Sequence, residues 1–199
     1  MESLDELLKR AESAHGHLCA GQVLGVRLAL LGLARLGIAD PRGADRKRLV
    51  TYVEIDRCAT DAISLVTGCR LGKRSLKFRD WGKMAATFVD LKMGRAVRIV
   101  ARDDSRELAE RRYAHLETKG LRQMQAYREL SDVELFSEEW VRVDVDAAEL
   151  PGHSRDRVVC ARCGEGVSFG RVAMINGELL CLACANPSLR YWQHSTPGS

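Results

Sequence analysis

Two cysteine knuckles near the end of the chain constrain it more than any other feature. Cys160-Ala-Arg-Cys163 and Cys181-Leu-Ala-Cys184 are separated by 17 residues. A Cys-x-x-Cys turn points two thiolates at one ion, and two such turns complete the tetrahedron that Zn²⁺ accepts. Between them, Val172 to Ile175 and Leu179-Leu180 flank Asn176-Gly177, a strong signal for a two-residue hairpin. That hairpin returns the second knuckle to the first, and Gly164 and Gly166 stand where the chain must curl round the metal. Sulfur fills all four positions, so the expected zinc is structural and leaves no place for a substrate. A module this small has little core of its own, and metal binding supplies much of its folding energy.

The other three cysteines, Cys19, Cys58 and Cys69, lie in a chain whose opening residues, Met1-Glu-Ser-Leu-Asp-Glu, are acidic. There is no basic start followed by an apolar stretch, and no run of about 20 apolar residues. A cytoplasmic protein with no membrane span is therefore expected, and in that compartment seven cysteines argue against a disulfide framework. The net charge of +4 is small and spread along the chain. A nucleic-acid footprint is more basic and more clustered, so a protein partner is expected for the ribbon in preference to nucleic acid. No Gly-rich phosphate loop, dinucleotide fingerprint or iron–sulfur cysteine run is present, which argues against independent nucleotide or redox chemistry.

Hydrophobic periodicity predicts a helix over Glu2 to Ala14 with Ser3 as N-cap, and a mostly apolar, buried helix over Gln22 to Leu36 ended by Gly37. Asp40-Pro41-Arg42-Gly43 reads as a turn. Strands are predicted over Arg48 to Asp56, Leu76 to Arg79, Ala85 to Leu91 and Ala96 to Ala101, with a short helix from Thr60 to Thr67. Further helices are predicted from a cap at Ser105 and over Leu121 to Leu130, then strands over Val133 to Phe136 and Trp140 to Val145. The class is α+β, with helices packed on a mainly antiparallel sheet in residues 1–150. Residues 151–199 hold a linker at Pro151 to Ser154, the ribbon at about 157–186 and a tail from Pro187.

His15-Gly-His17-Leu-Cys19 offers three soft or borderline metal ligands within five residues, of which one ion can readily take two. Cys19 stands just before the second helix and Cys58 just before the third, where a helix N-terminus stabilises a thiolate. Two readings stand side by side. Cys19 and Cys58 are either a joint metal or thiolate site or small buried packing residues. His15 and His17 are either ligands or exposed loop residues, and Cys69, after Gly68, fits plain packing.

His15-Gly16-His17-x-Cys19-x-Gly21 resembles the opening motif of the FmdE family, named for a component of molybdenum or tungsten formylmethanofuran dehydrogenase. Cys58-Ala-Thr-Asp61-Ala62-Ile63 with Thr67-Gly68-Cys69-x-x-Gly72-Lys73 is similar to the second signature, and Asp80-Trp81-Gly82-Lys83-Met84-Ala85 to the third. Ala20 departs from the family's usual proline without changing a ligand. The resemblance implies an α+β homodimer with a cleft lined by His15, His17, Cys19, Cys58, Asp61, Cys69 and Lys73. His15, His17, Cys19 and Cys58 are the candidate ligands of a second zinc or other transition metal. Cys19, Cys58, Asp61 and Lys73 are the candidates for catalysis, if there is any, with Asp61 orienting a ligand or water and Lys73 meeting an anion. The implied setting is molybdenum/tungsten one-carbon metabolism, with such an enzyme as partner. The alternative is a non-enzymatic accessory or regulatory protein that delivers metal or sulfur, or binds a partner through the ribbon.

Overall fold

The structure is a computed structural model and describes residues 2–152, 157–168 and 170–193. The chain divides into two compact units, Met1–Asp144 and Val145–Ser199.

In the first unit, helix α1 (Leu4–His15) opens on a capping box in which Ser3 and Glu6 satisfy each other's backbone N–H groups. Gly16, at φ +92°, ends it and turns the chain sharply. Helix α2 (Ala20–Leu36) follows and is buried along most of its length. It forms the spine of the unit. Strand β1 (Leu49–Val53), helix α3 (Cys58–Thr67) and strand β2 (Leu76–Phe78) come next, then β3 (Ala85–Asp90) and β4 (Arg95–Ala101). Helices α4 (Asp104–Arg112), α5 (Lys119–Glu129) and α6 (Asp132–Leu135) lead to β5 (Phe136–Val141).

The sheet order is β2-β1-β3-β4-β5, parallel only between β1 and β2 and antiparallel elsewhere. Every residue of β3 is buried, as its central place demands. Helix α2 packs on β3 and β4, and Gly32 lies so close to the Phe88 ring that a methyl group there would overlap it. Gly25 plays the same part toward α3. A Cβ at Gly25 would stand 2.5 Å from the carbonyl oxygen of Ala59 and 2.7 Å from its Cα. The two helices therefore meet backbone to backbone.

Three sequence expectations fail here. Val133 to Phe136 is not a strand, because Ser131 and Glu134 form a capping box that starts α6 in spite of the β-branched Val133. The last strand of the sheet is β5, which begins at Phe136 and not Trp140. It is an edge strand with Phe136 buried and the next four residues exposed, so alternation did not mark it. Ser105 does not cap α4. The helix begins at Asp104, and the Ser105 hydroxyl, 1% exposed, donates to the Arg102 carbonyl at 2.6 Å.

The second unit carries two small hairpins, β6 (Val158–Val159) with β7 (Gly166–Val167) and β8 (Val172–Ile175) with β9 (Glu178–Cys181), followed by a single turn, α7 (Leu182–Ala185). Asn176 and Gly177 both have positive φ, 51° and 84°, as the tight turn expected there requires. Leu180 is the buried apolar residue beside Cys160 and Cys184. Of the linker, Pro151 and Gly152 form a turn, while His153 and Ser154 lie outside the described residues. In the tail, Pro187–Leu189 make one helical turn capped by Asn186, and residues 194–199 lie outside the described residues.

Candidate metal centre and core thiol site

The ribbon cysteines converge. The sulfurs of Cys160, Cys163, Cys181 and Cys184 all lie within 4.8 Å of one another, and those of Cys163 and Cys181 are 4.0 Å apart. Tetrahedral zinc with bonds of about 2.3 Å separates its sulfurs by roughly 3.8 Å, so the donors fit the ion. The backbone explains the placement. β9 sets the Cys181 N–H 3.2 Å from the Cys160 sulfur, and the Cys160 N–H donates to the Glu165 carbonyl at 2.9 Å, closing the first knuckle. Gly164, at φ +73°, makes that turn possible.

With no ion between them, the four sulfurs compete to ionise. Backbone N–H groups of Cys163, then Cys181, hold the Cys160 thiol down at about 6. The Glu165 N–H favours the Cys163 thiolate, but burial and the neighbouring sulfurs outweigh it and push this thiol up to about 12. Burial, then Cys181, raises Cys184. Four thiolates cannot share so small a space without a positive ion. An all-sulfur tetrahedral donor set selects Zn²⁺ or a similarly soft metal, and no position is left open for chemistry.

The first unit brings the two motif thiols together across 39 positions of sequence. Cys19 is the N-cap of α2 and Cys58 is the first residue of α3. The close approach at Gly25 and Ala59 fixes how the two helix starts meet. One turn earlier, Gly21 lies against both cysteines, with its Cβ position 3.5 Å from the Cys58 Cβ and 3.7 Å from the Cys19 sulfur. Both cysteines are half-buried. Burial pushes the Cys58 thiol up, and the adjacent Cys19 sulfur adds to it. This corrects the expectation that both helix starts would ease ionisation. At Cys58 the helix N-terminus loses to desolvation and to the neighbouring sulfur.

His15, at the end of α1, sits with Nδ1 3.4 Å from the Asp61 carboxylate on α3. The turn at Gly16 puts the exposed His17 ring 5.0 Å from that of His15, centroid to centroid. Asp61 lies one helical turn beyond Cys58. Among the described residues, the ribbon is where three or more metal-binding side chains gather within 4.8 Å. His15, His17, Cys19 and Cys58 do not close to that degree. Cys69 belongs to the packing. It is 3% exposed, accepts from the Thr51 hydroxyl at 3.5 Å, faces the Leu49 carbonyl at 3.7 Å, and burial raises its pKa. Lys73 is exposed on the helical turn Leu71–Lys73.

Sequence reasoning missed two features. One is the pair of glycines, Gly21 and Gly25, whose spacing of four on a buried helix was the available signal. The other is a cavity of about 360 Å³ bounded by α1, α2 and α3, whose wall includes His15, Gln22, Asp61 and Arg70. Its residues come from four segments, and no local pattern marks it.

The FmdE model, described as "FmdE, Molybdenum formylmethanofuran dehydrogenase operon", matches residues 14–137. The chain belongs to the FmdE family. The FmdE region thus takes in both thiols, both histidines and the whole five-stranded sheet except the last four residues of β5. A probable S-adenosyl-L-methionine-binding protein of Archaeoglobus fulgidus is 31% identical over 92% of this chain, and the match spans 53% of that relative's length. A solved FmdE-like protein of the tungsten formylmethanofuran dehydrogenase type, from Syntrophus aciditrophicus, shares the fold, with a TM-score of 0.63 at 22% identity over 94% of each chain. Among the described residues, no helix of this FmdE protein is long and apolar enough to cross a membrane.

Proposed function

We propose that this is a cytoplasmic metal-binding protein of molybdenum/tungsten formylmethanofuran dehydrogenase-type one-carbon metabolism. Its ribbon carries a structural zinc, and its core uses Cys19 and Cys58 as a metal or thiolate site. One observation carries the core reading: two half-buried thiols from distant segments, Cys19 and Cys58, lie against each other. Two thiolates held so close repel each other, and a cation bound between them offsets both charges. His17, exposed beside His15 and two residues before Cys19, would supply a third ligand, and a site of three protein ligands keeps a position open. Asp61 would then hold His15 and orient it. Lys73 would serve an incoming anion from its exposed turn.

The test is metal analysis of the purified chain against its variants. Cys19→Ala and Cys58→Ala are each expected to remove the same second metal equivalent, and Cys69→Ala to leave it in place. If both cysteine variants retain the full metal content of the parent, the core site is not a metal site. We further infer a homodimer formed through the first unit, which sedimentation of a chain ending near Leu150 would detect. The name of the Archaeoglobus relative raises S-adenosyl-L-methionine as a ligand, but this chain matches only about half of that protein, and no feature of the core favours it over the thiol reading. The alternative retained is an accessory role in metal or sulfur delivery, with the ribbon docking on a partner protein such as the molybdenum/tungsten enzyme. A protein with intact metal sites and no turnover would favour it.

A further inference from the structure

The tail of the second unit folds back onto the ribbon cysteines. Asn186 caps the turn Pro187–Leu189, and the Arg190 N–H donates to the Pro187 carbonyl at 3.1 Å. That turn packs on α7 and returns Arg190 to Cys184, six positions earlier in the chain. The Arg190 Nη2 stands 3.7 Å from the Cys184 sulfur, within reach of an N–H···S hydrogen bond. Its guanidinium also lies over the Trp192 ring, 4.7 Å from the centroid. A planar guanidinium resting on an aromatic face has its orientation fixed, and its donors with it.

The second observation is the burial of that cation. Arg190 Nε is buried with no hydrogen-bond partner, and no carboxylate among the described residues pairs with the guanidinium. A cation taken out of water without a counter-charge is costly. The counter-charge here is sulfur. Four thiolates around one Zn²⁺ carry four negative charges against two positive, and the Cys184 sulfur is where Arg190 meets them. Cys184 is in fact held at two points, because Arg162 Nη1 donates to its carbonyl at 2.6 Å. The Cys160 sulfur has a backbone donor, the Cys181 N–H at 3.2 Å. At Cys184 a side chain from beyond both knuckles takes that part.

We propose that Arg190 is a positioning residue of the ribbon zinc site, donating to the Cys184 thiolate and offsetting part of the excess negative charge, so that the metal is held more tightly. This rests on the zinc reading of the ribbon and makes the tail part of the site, with Trp192 as the platform for the guanidinium. The test uses the full chain in a Cys19→Ser, Cys58→Ser background, so that the ribbon sulfurs are the ones measured. Zinc affinity is read by competition with a chromogenic chelator, and Co²⁺ in place of Zn²⁺ reports on the sulfurs directly. If this parent takes up no metal, the zinc reading itself fails, before any Arg190 variant is compared. Arg190→Met is expected to weaken zinc about tenfold or more, as loss of an outer partner of a metal ligand does. Arg190→Lys, which keeps a charged donor, should recover most of that loss. In the cobalt form, Arg190→Met should move the sulfur-to-cobalt charge-transfer band to longer wavelength, because a thiolate that loses a hydrogen bond gives up its electrons more easily. The ligand-field bands of the four-sulfur tetrahedron should stay in place. Zinc affinity equal to the parent's overturns the proposal. So does weaker zinc with an unmoved charge-transfer band, which makes Arg190 a packing residue, or an Arg190→Lys variant as weak as Arg190→Met. Should Arg190→Met lose the tetrahedral bands altogether, Arg190→Gln is the milder change, and parent-like zinc affinity in that variant overturns the proposal equally.

Discussion

Adding one methyl group at Gly25 tests the packing that joins the two thiols. In Gly25→Ala the new Cβ meets the backbone of Ala59 at 2.5 and 2.7 Å, where ordinary contact begins at 3.4 Å. Helix α3 must retreat by about 0.7–0.9 Å, because a backbone cannot rotate away as a side chain tip does. Such overpacking costs roughly 1–3 kcal/mol, and contact with main-chain atoms argues for the upper end. Alanine returns about 1 kcal/mol of helix propensity, so the net loss is about 2 kcal/mol. For a unit of this size that lowers the melting temperature by roughly 4–8 °C. Gly21→Ala is the matched control on the same helix. Its Cβ finds neighbours at 3.5, 3.7 and 3.9 Å, all ordinary contacts, so it should be neutral or stabilise by up to about 1 kcal/mol. Thermal melts by circular dichroism compare the two, and a short bifunctional thiol reagent reports whether Cys19 and Cys58 still face each other. The expected result is a lower melting point and slower cross-linking in Gly25→Ala only. If Gly25→Ala melts at or above the parent, the backbone contact between α2 and α3 is not as described, and the account of how the thiols meet fails with it.

In the ribbon, Cys160→Ser or Cys184→Ser should strip one zinc per chain by atomic absorption and expose residues 157–186 to protease, with the melting of the first unit unchanged. An ordered, protease-resistant ribbon in strong chelator would refute this. In the sheet, Arg98 grips the Glu54 carboxylate at 2.7 Å with both arms, and the Glu54 side chain is only 3% exposed. Arg98→Met strands that charge and should cost about 3 kcal/mol in urea denaturation, while Glu54→Leu with Arg98→Met should recover most of the loss. At Asp90, burial pushes the carboxyl up, but Arg48 and the N–H groups of Lys92 and Met93 outweigh it and hold it below the usual value. The folded state thus keeps its proton off where the unfolded chain takes one up. That stability is full above about pH 4–5 and is lost as pH falls through the depressed native value. Asp90→Asn should flatten the acid limb of urea midpoints measured below about pH 5, and an unchanged limb would count against the role given to Arg48.

The parts of this protein that were legible in its sequence are those written in local chemistry. Two Cys-x-x-Cys turns and an Asn-Gly hairpin encode the ribbon, because knuckle geometry and turn geometry both depend on a few adjacent residues. The capping of α1, its stop at Gly16 and the burial of α2 follow from propensity and pattern over a dozen residues. The motifs around Cys19 and Cys58 were visible as chemistry, and the glycines that join them stood in plain view at a spacing of four. What those glycines do became clear only when Ala59 was seen lying against Gly25, since close approach is a property of two helices and not of either one. The sign of the Cys58 pKa shift was likewise a tertiary matter. A helix start alone favours the thiolate, but desolvation and a second sulfur, brought from 39 positions away, reverse the balance. The fate of Cys69 was decided in the same way, by Thr51 and Leu49, which sequence order keeps apart from it and only the packed core brings within reach.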